Sequence, residues 1–524
     1  MPVRCVIRAG EYHDSVTLMQ VAREVTQLAG VVDAAVVMAT EANKAILSQA
    51  GLWEPELETA TADDLVIVAQ AESEATAQEA LELAAVRLRQ PRGDTRTDQA
   101  ARPRSIHTAV RADPRSNLAI ISVAGQYAAA EAWDALHRGL HVFLFSDNVS
   151  IDDEVALKEY AAERGLLMMG PGCGTAIING VALGFANAVP RGPVGLVSAA
   201  GTGLQEVSSL LARQGVGVSQ AIGTGGRDLH EAVGGRMMLA GLRALQDDHE
   251  TQVVVLISKP PSAAVAERVL TEVAQGDKPT VICFLGSEGT PDTSPNAIPA
   301  RTLQEAALAA AAAAQGHKDA SVGELIERES VDLKAQAAAH KARLQPSQRY
   351  LRGLFNGGTL AAEALVVWAD MGLGVWSNVA LQERWKLRDT THCAGHCALD
   401  LGEEEFTIGR PHPMIDNDLR MRRLMQEAQD PEAAVIMLDV VLGYGAHPDP
   451  AGELGPAIRQ AGANAAAAGR EILFVASVTG TREDPQGLER QARALRSAGV
   501  MVCDSNAAAA GLAGFLVRQS RGET

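Results

Sequence analysis

Residues 194–215 read VGLVSAAGTGLQEVSSLLARQG. The apolar run Val194–Ser198 predicts a buried strand, and the pattern after Gly201 predicts an amphipathic helix. A glycine directly behind a strand lets the backbone turn tightly into the next helix, which is typical of βα junctions in doubly wound folds. This stretch therefore predicts one βα unit of a parallel sheet.

The same pattern recurs later in the chain. Residues 354–372 read LFNGGTLAAEALVVWADMG, so Gly-Thr again follows a strand and a glutamate again lies four positions after the threonine. A helix that is followed by a buried strand is predicted from Arg236 and again from Arg420. A strand that runs into Gly-Thr and an acidic residue is found at 282–292 and again at 473–485. Three landmarks in the same order predict two similar doubly wound domains.

The rest of the chain is organised around these two copies. A βαβαβ alternation between Leu118 and Met169 predicts a Rossmann-like parallel sheet. We expect the α/β fold class throughout, with several doubly wound domains and a small N-terminal α/β domain. The predicted boundaries are 1–90 for the N-terminal domain, 105–190 for the Rossmann-like domain, 191–320 and 351–524 for two flavodoxin-like domains, and 321–350 for a helical connector.

The charge of the chain excludes some partners. Its 46 Lys and Arg against 64 Asp and Glu give a formal net charge of −18. A protein that binds a nucleic acid needs a basic footprint, so we expect no nucleic acid partner. No run approaches the roughly 18 apolar residues of a membrane helix, and the N-terminus lacks a signal-peptide core. We expect a cytoplasmic protein with no membrane association.

The cysteines raise the question of metal binding. Six cysteines in 524 residues show no framework spacing, so we expect reduced thiols. The run His392-Cys393-Ala394-Gly395-His396-Cys397 carries donors for half of a tetrahedral site. Because no second Cys/His pair lies elsewhere in the sequence, we expect no metal.

The two Gly-Thr elements are the strongest candidates for a ligand site. A helix that begins behind a strand points unpaired N–H groups and its positive dipole end at an anion. We expect Gly201 and Thr202, with Gly357, Gly358 and Thr359, to bind phosphate. The alternative is an ordinary βα turn in which the threonine caps the helix.

A third glycine-rich segment follows the buried strand 435–442. Gly443 and Gly445 could also approach phosphate, and His447 falls where the catalytic groups of open α/β sheets lie. We assign His447 as a candidate catalytic residue. A surface histidine with no such role is the alternative interpretation.

Several motifs carry a resemblance to a known superfamily. Residues 169–174 (MGPGCG) and Pro193–Glu206 resemble the α subunit of succinyl-CoA synthetase, and Phe355–Gly358 resembles the turn that opens the carboxy-terminal domain of its β subunit. Fused α-like and β-like parts with no ATP-grasp module, together with Gly409–Asp416 (GRPHPMID), resemble the FdrA-type proteins. The resemblance covers about 115–524 and implies a Rossmann-like domain of the CoA-binding type and two flavodoxin-like domains of the synthetase type.

The resemblance also implies a phosphate site, and this chain lacks several of the residues that the synthetases have there. In the synthetases the two helix N-termini hold a phosphate from both sides. The phosphorylated histidine of that family has no counterpart, because Gly286–Leu303 contains no histidine, and the partner glutamate is replaced by Lys259. The first glycine-rich turn of the CoA-binding domain is reduced to Val123-Ala124-Gly125. We therefore assign no cofactor to the chain, and the reduced turn argues against a CoA site. We expect phosphate or carbamoyl phosphate as a substrate.

The function implied is that of a carbamoyltransferase subunit. FdrA-type proteins are associated with oxamate carbamoyltransferase of allantoin catabolism, which converts oxalurate and phosphate to oxamate and carbamoyl phosphate. We expect Lys259 to act in catalysis, separate partner subunits to be needed, and a homo-oligomer to be possible. An acyl-CoA synthetase is the first alternative, and a non-catalytic scaffold that binds CoA or phosphate is the second.

Overall fold

A computed structural model describes residues 1–11, 13, 15–40, 43–44, 47–48, 50–89, 103–287, 294–316, 320–407 and 411–518. The chain divides into two compact units, Met1–Arg102 with Glu403–His412, and Pro103–Gly402 with Pro413–Thr524. Among the described residues, no helix has the length and apolar character needed to cross a membrane.

The first unit is built on a three-stranded antiparallel sheet in the order β1-β3-β2. Its elements are β1 (Val3–Arg8), α1 (Ser15–Thr26), β2 (Val31–Met38), β3 (Leu65–Ala71) and α2 (Glu74–Arg89). The central strand β3 is almost wholly buried because apolar residues cover both of its faces. The hydrophobic pattern of the sequence predicts strands over 3–7, 31–38 and 64–71 and helices over 15–28 and 74–89, and the structure confirms all five. The same pattern predicts a further helix over 41–50, and the charged, proline-bearing segment 90–104 predicts a linker; both lie largely outside the described residues.

The second unit begins with a Rossmann-like sheet of three parallel strands in the order β4-β5-β6. Its elements are α3 (Ile106–Ala112), β4 (Leu118–Ile121), α4 (Gly125–His137), β5 (His141–Leu144), α5 (Ile151–Glu163) and β6 (Met168–Met169). The predicted βαβαβ alternation is confirmed.

A charge network centred on the fully buried Lys158 joins this sheet to the next lobe. Lys158 Nζ donates to Glu154 Oε1 at 2.8 Å, to Asp228 Oδ1 at 2.9 Å and to the Thr224 carbonyl at 2.8 Å. Arg227 Nε lies 2.8 Å from Glu154 Oε2. Because two carboxylates and a carbonyl oxygen surround the buried ammonium, its desolvation is offset by direct contacts.

The first flavodoxin-like lobe contains a seven-stranded sheet in the order β13-β12-β11-β9-β10-β7-β8. Its strands are β7 (Thr175–Ile178), β8 (Val181–Gly184), β9 (Arg191–Ser198), β10 (Val218–Gly223), β11 (Val253–Ser258), β12 (Thr280–Phe284) and β13 (Ala297–Pro299). Its helices are α6 (Gly201–Arg213), α7 (Arg236–Asp247), α8 (Ala263–Gln275) and α9 (Leu303–Ala314). All pairs are parallel except those of the β7–β8 hairpin, which closes one edge.

The second flavodoxin-like lobe contains a six-stranded parallel sheet in the order β15-β16-β14-β17-β18-β19. Its strands are β14 (Tyr350–Phe355), β15 (Val375–Ser377), β16 (His396–Asp400), β17 (Ala433–Val441), β18 (Leu473–Thr479) and β19 (Val500–Cys503). Its helices are α11 (Gly358–Asp370), α12 (Asp418–Glu427), α13 (Pro450–Ala467), α14 (Leu488–Ser497) and α15 (Asn506–Val517), and α10 (Ala320–Lys341) precedes the lobe.

The two lobes have the same topology. Apart from the β7–β8 hairpin, the first parallel strand of each lobe (β9 or β14) lies inside the sheet, the next strand along the chain lies on one side of it, and the later strands extend to the other side. The extra strand β16 is inserted between β14 and β15. The repeat predicted from the Gly-Thr pattern is therefore confirmed, as is the fold class.

The lobes exchange buried glutamates where they pack together. Glu206 of α6 accepts a hydrogen bond from Asn506 N at 3.0 Å, at the start of α15. Glu363 of α11 accepts one from Leu303 N at 2.6 Å, at the start of α9, and another from Asn506 Nδ2 at 2.8 Å. Each carboxylate therefore satisfies an N–H group that a helix start leaves unpaired.

One expectation about the cysteines is wrong. Cys393 and Cys397 form a disulfide, with their Cα atoms 5.7 Å apart, instead of remaining reduced. The turn at Gly395, which has a φ of +68°, folds the chain back so that the two side chains meet. Cys5, Cys173, Cys283 and Cys503 are free thiols.

Candidate functional site

The starts of α6 and α11 are the centre of the candidate site. The residues before them, Ala200 and Gly357, have extended backbones, and neither helix start has a side-chain cap. The interpretation of Thr202 and Thr359 as capping residues is therefore wrong. Each threonine lies one position inside its helix, where its hydroxyl cannot reach the N–H groups that a capping residue accepts.

Both threonines instead pack across the lobe interface. A Cβ atom built on Gly357 would lie 2.8 Å from Thr202 Cγ2 and Oγ1, and one built on Gly203 would lie 2.8 Å from Thr359 Cγ2. Both threonines are buried. The glycines of each copy are thus required by the threonine of the other copy, which brings the two helix starts side by side.

Lys259 lies at the start of α11. A Cβ atom built on Gly358 would collide with Asp400 Oδ2 and would lie 3.1 Å from Lys259 Nζ. Lys259 follows β11 of the first lobe, and Asp400 ends β16 of the second. The structure therefore brings together two predicted site residues, Lys259 and Gly358, and adds a carboxylate that the sequence analysis missed.

Asp400 is held rigidly in place. Its backbone N–H donates to Asn378 Oδ1 and its carbonyl accepts from Asn378 Nδ2, both at 2.9 Å. Its Oδ1 accepts from Gly402 N at 2.9 Å. Because a carboxylate is stabilised at the positive end of a helix, Asp400 occupies the position that an anion would take at α11.

A second buried carboxylate supports the same helix start. Asp439 Oδ1 accepts from Asn356 N at 2.9 Å, and its Oδ2 accepts from Gly357 N at 3.0 Å. Arg420 Nη2 lies 3.1 Å from Asp439 Oδ1. Burial raises the pKa of Asp439, and the Arg420 guanidinium and the backbone N–H groups oppose that shift.

The start of α6 is different, because no carboxylate was found against it among the described residues. Ser198 Oγ accepts from Ala200 N at 3.1 Å and donates to the Ala200 carbonyl at 2.7 Å. The first helical hydrogen bond of α6 runs from Leu204 N to Ala200 O. Gly201 is partly exposed, and a Cβ atom there would have Thr175 Oγ1 as its nearest neighbour, at 3.6 Å. The geometry therefore favours α6 over α11 as the anion-binding helix.

The glycines after β17 serve another part of the lobe interface. Gly443 N donates to Gln486 Oε1 at 3.1 Å, and its carbonyl accepts from Gln486 Nε2 at 2.8 Å. A Cβ atom on Gly443 would lie 2.6 Å from the Ala186 carbonyl, and one on Gly445 would lie 3.1 Å from Phe185 Cδ1. Both glycines have positive φ angles. The N–H group of Gly443 is thus already used inside the protein.

His447 lies in the same segment and is buried. Its Nε2 is 3.0 Å from Glu453 Oε2, its Nδ1 accepts from Asp449 N at 3.1 Å, and its backbone N–H donates to the Met414 carbonyl. None of these partners belongs to the group formed by Lys259, Gly358 and Asp400. The structure therefore does not join His447 to Lys259 through these contacts.

The His/Cys run lies at the opposite end of its sheet. His396 is the first residue of β16, whereas the site lies where that strand ends, at Asp400. Burial, followed by the charge of Arg352, lowers the pKa of His396 to about 4. Its Nδ1 accepts from Leu351 N at 3.2 Å. Among the described residues, no group of three or more His, Cys, Asp or Glu side chains could hold a metal ion.

The crevice of the Rossmann-like sheet presents oxygen atoms to a ligand. A Cβ atom on Gly125, at the start of α4, would collide with the Asp147 carbonyl, and one on Gly172 would collide with Asp147 Oδ1. These residues do not reproduce a glycine-rich cradle of N–H groups for the pyrophosphate of CoA.

Two family models match the chain. The CoA-ligase model matches residues 354–516, and the model described as AllF, heavy metal-associated domain, matches residues 1–104. In that first unit Cys5 donates to Glu56 Oε2 at 3.3 Å, and burial raises the pKa of its thiol to about 12. The chain therefore contains a domain of the CoA-ligase class, which covers the second of the two paired lobes.

One relative matches nearly the whole chain and identifies its family. The uncharacterized protein YahF of Escherichia coli (strain K12) is 46% identical over 510 residues, which cover 97% of this chain and 97% of that protein. The chain therefore belongs to the same family as YahF.

More distant relatives match only part of the chain. The α subunit of ADP-forming succinate–CoA ligase from Staphylococcus epidermidis is 29% identical over 182 residues, which cover 34% of this chain and 58% of that subunit. Of the solved structures, PH0766 from Pyrococcus horikoshii OT3 is 16% identical, with a TM-score of 0.31, and the alignment covers 78% of this chain and 85% of that one.

Proposed function

We propose that this chain is the subunit of a carbamoyltransferase that binds phosphate and, with partner subunits, converts oxalurate and phosphate to oxamate and carbamoyl phosphate. The observation that supports this most directly is the position of Lys259 Nζ beside Gly358, next to the uncapped start of α6. A cation and a set of helical N–H groups can hold an anionic nucleophile and stabilise charge on a carbonyl oxygen.

The reaction assigns a task to each group. An oxygen of hydrogen phosphate attacks the ureido carbon of oxalurate, and the bond from that carbon to the oxamate nitrogen breaks. The proton of hydrogen phosphate passes to the leaving nitrogen, so oxamate and carbamoyl phosphate form without any other reactant. The N–H groups that open α6 at Gly201 hold the phosphate, and Lys259 stabilises the negative charge that develops on the carbonyl oxygen.

The test is carbamoyl phosphate release from oxalurate by the chain together with its partner subunits. Removing one donor to such an oxygen lowers the rate by on the order of 10²–10³, so we expect that loss in Lys259→Met and partial recovery in Lys259→Arg. The exposed Lys334→Met removes the same charge elsewhere and should leave the rate unchanged. Absence of carbamoyl phosphate with the intact assembly would reject the proposal.

An acid–CoA ligase is the second candidate. The matches to the CoA-ligase family and to the succinate–CoA ligase α subunit favour it. The absence of a histidine from Gly286–Leu303 opposes it, because a ligase of this chain would need another carrier for the phosphoryl group. Formation of acyl-CoA from an acid, CoA and a nucleotide, with no carbamoyl phosphate from oxalurate, would establish the ligase instead.

A further inference from the structure

A cavity of about 700 Å³ lies between the lobes, beside the second half of α11. The carboxyl ends of β12 and β13 form one side, and the second half of α11 forms the other. Its apolar lining includes Phe284, Leu365, Val366, Leu381 and Trp385. This volume is within the range of about 300–1,000 Å³ that small-molecule sites occupy.

Two elements connect this cavity to the candidate site. Gly358 and Leu365 are seven residues apart on α11, so they share one face of the helix and are separated by roughly 10 Å along its axis. Gly286 lines the cavity, and a Cβ atom built on it would lie 3.5 Å from Cγ of Pro260, the residue after Lys259. Phe284 pairs with Ser258, which directly precedes Lys259. The cavity and the site are therefore neighbours on the same strands and helix.

The repeat supplies an internal comparison. A cavity of about 720 Å³ occupies the equivalent place, where the carboxyl ends of β18 and β19 meet the second half of α6. Charged side chains such as Arg213, Glu329, Arg482 and Asp504 are among those that line that cavity, and no aromatic residue lines it. Because the two lobes share one topology, the aromatic side chains of the first cavity, Phe284 and Trp385, are not imposed by the fold.

Packing contacts on both sides fix the position of the Trp385 side chain at the cavity. Trp385 packs directly on Gly374, where a Cβ atom would collide with its ring, and it contacts Trp376 edge to face with ring centroids 5.3 Å apart. Arg301 and Asp370 form an ion pair at 2.7 Å beside the cavity. These two charged groups are thus paired with each other at the cavity.

We propose that this cavity binds an alkyl or aromatic group of the carbamoyl substrate, so that the chain accepts ureido compounds bulkier than oxalurate. The inference rests on the proposed function, because it places the reacting carbonyl at Lys259 and the apolar group along α11. The substrate class is then a carbamoyl compound with an anionic end and an apolar body. Phosphate attacks the same carbon, and the bulkier amide leaves with the same proton.

The test uses straight-chain alkanoates from butanoate to octanoate as probes, with binding to the full chain measured by calorimetry. Burying each methylene should strengthen binding roughly fourfold until the cavity is filled. Ala369→Phe fills this cavity from an exposed position of α11, so the gain with chain length should disappear. Ala212→Phe at the equivalent position of α6 fills the charged cavity and should keep the gain.

Three outcomes would overturn the proposal: no dependence on chain length in the unmodified chain, an unchanged gain in Ala369→Phe, or an equal loss in both variants. Thermal unfolding of each variant establishes that it is folded. Carbamoyl phosphate release from oxalurate is measured separately on the same proteins. If longer alkanoates still bind more tightly but no carbamoyl phosphate is released, only the carbamoyl transfer is rejected. If carbamoyl phosphate is released but binding does not depend on chain length, only the binding of an apolar group in the cavity is rejected.

Discussion

Glu206 and Glu363 are exchanged between the lobes, since each accepts a hydrogen bond from the first residue of a helix in the opposite lobe. Asn506 touches both of them, through its backbone N–H and its side-chain amide. Burial, and then the charge of Glu206, raise the pKa of Glu363 to about 8. Burial at the interface between the lobes therefore favours the protonated form of this carboxyl group.

This raised pKa predicts a pH dependence of stability. The pKa of Glu363 in the folded chain lies above its ordinary value of 4.5. The contribution of Glu363 to the free energy of unfolding is therefore fully present below about pH 4.5, declines as the pH rises and is lost once the pH passes about 8. One proton corresponds to about 1.4 kcal/mol per pH unit. We expect urea unfolding of Glu363→Gln to show a shallower decline between pH 5 and 8 than that of the unmodified chain.

The control for this experiment is Glu324→Gln, which neutralises an exposed carboxylate on α10. It should follow the unmodified chain across the whole pH range. Parallel curves for the unmodified chain and Glu363→Gln would show that Glu363 is ionised in the folded protein.

Phosphate binding should depend on the start of α6. A side chain at Gly201 meets only ordinary contacts within the protein, so Gly201→Val should fold while blocking the approach of an anion to the N–H groups. We expect at least a tenfold loss of phosphate affinity by calorimetry. Gly323→Val, on α10 with no neighbour within 4 Å, controls for the added valine. Equal affinities in the two variants would place the phosphate elsewhere.

Asp400 should compete with any anion at α11. Its carboxylate lies against Gly358, where it repels an incoming phosphate and neutralises part of the charge of Lys259. Asp400→Asn keeps the shape of the side chain and should raise phosphate affinity severalfold. An affinity that falls in this variant would mean that Asp400 helps to assemble the site instead of opposing the anion.

Nucleotides should leave no phosphate on histidine in this chain. The segment Gly286–Leu303 has no histidine, and the resemblance to the synthetases implies that Lys259 takes the place of their partner glutamate. Incubation with radiolabelled ATP or GTP should give no acid-labile label on the chain. Such a label, removed by a histidine substitution, would contradict this prediction.

The disulfide is open to a direct chemical test. Cys393 and Cys397 should resist alkylation by iodoacetamide in the unfolded chain until a reductant is added, whereas the other four thiols should react at once. Peptide mass spectrometry distinguishes the two groups. Alkylation of Cys393 without a reductant would restore the expectation of reduced thiols.

Much of the fold could be predicted because local patterns determine it. The interval between Gly201 and Gly358 also separates Thr202 from Thr359 and Glu206 from Glu363, and this spacing identified the repeat. Hydrophobic periodicity identified most strands for the same reason. The disulfide was missed because a spacing of four residues closes only when a turn such as that at Gly395 folds the chain back.

The site was harder to predict, because its groups come from different lobes. Lys259 could be singled out from its place after a buried strand, but nothing in the sequence indicated that its amine reaches Gly358. Asp400 and Asp439 were missed, although both end or follow apolar strand patterns, CALD and VIML followed by Asp. An acidic residue at the end of a buried strand is a local signal, but its partner is fixed only by the packing of the lobes.

The exchange of Glu206 and Glu363 between the lobes gives a reason for encoding both lobes in one chain. If the chain were cut within α10 and its halves made separately, each half would expose a helix start and a carboxyl group that only the other half can satisfy. The halves would then have to find each other during synthesis, in equal amounts. A single reading frame guarantees that ratio, and it turns an assembly step between molecules into a folding step within one.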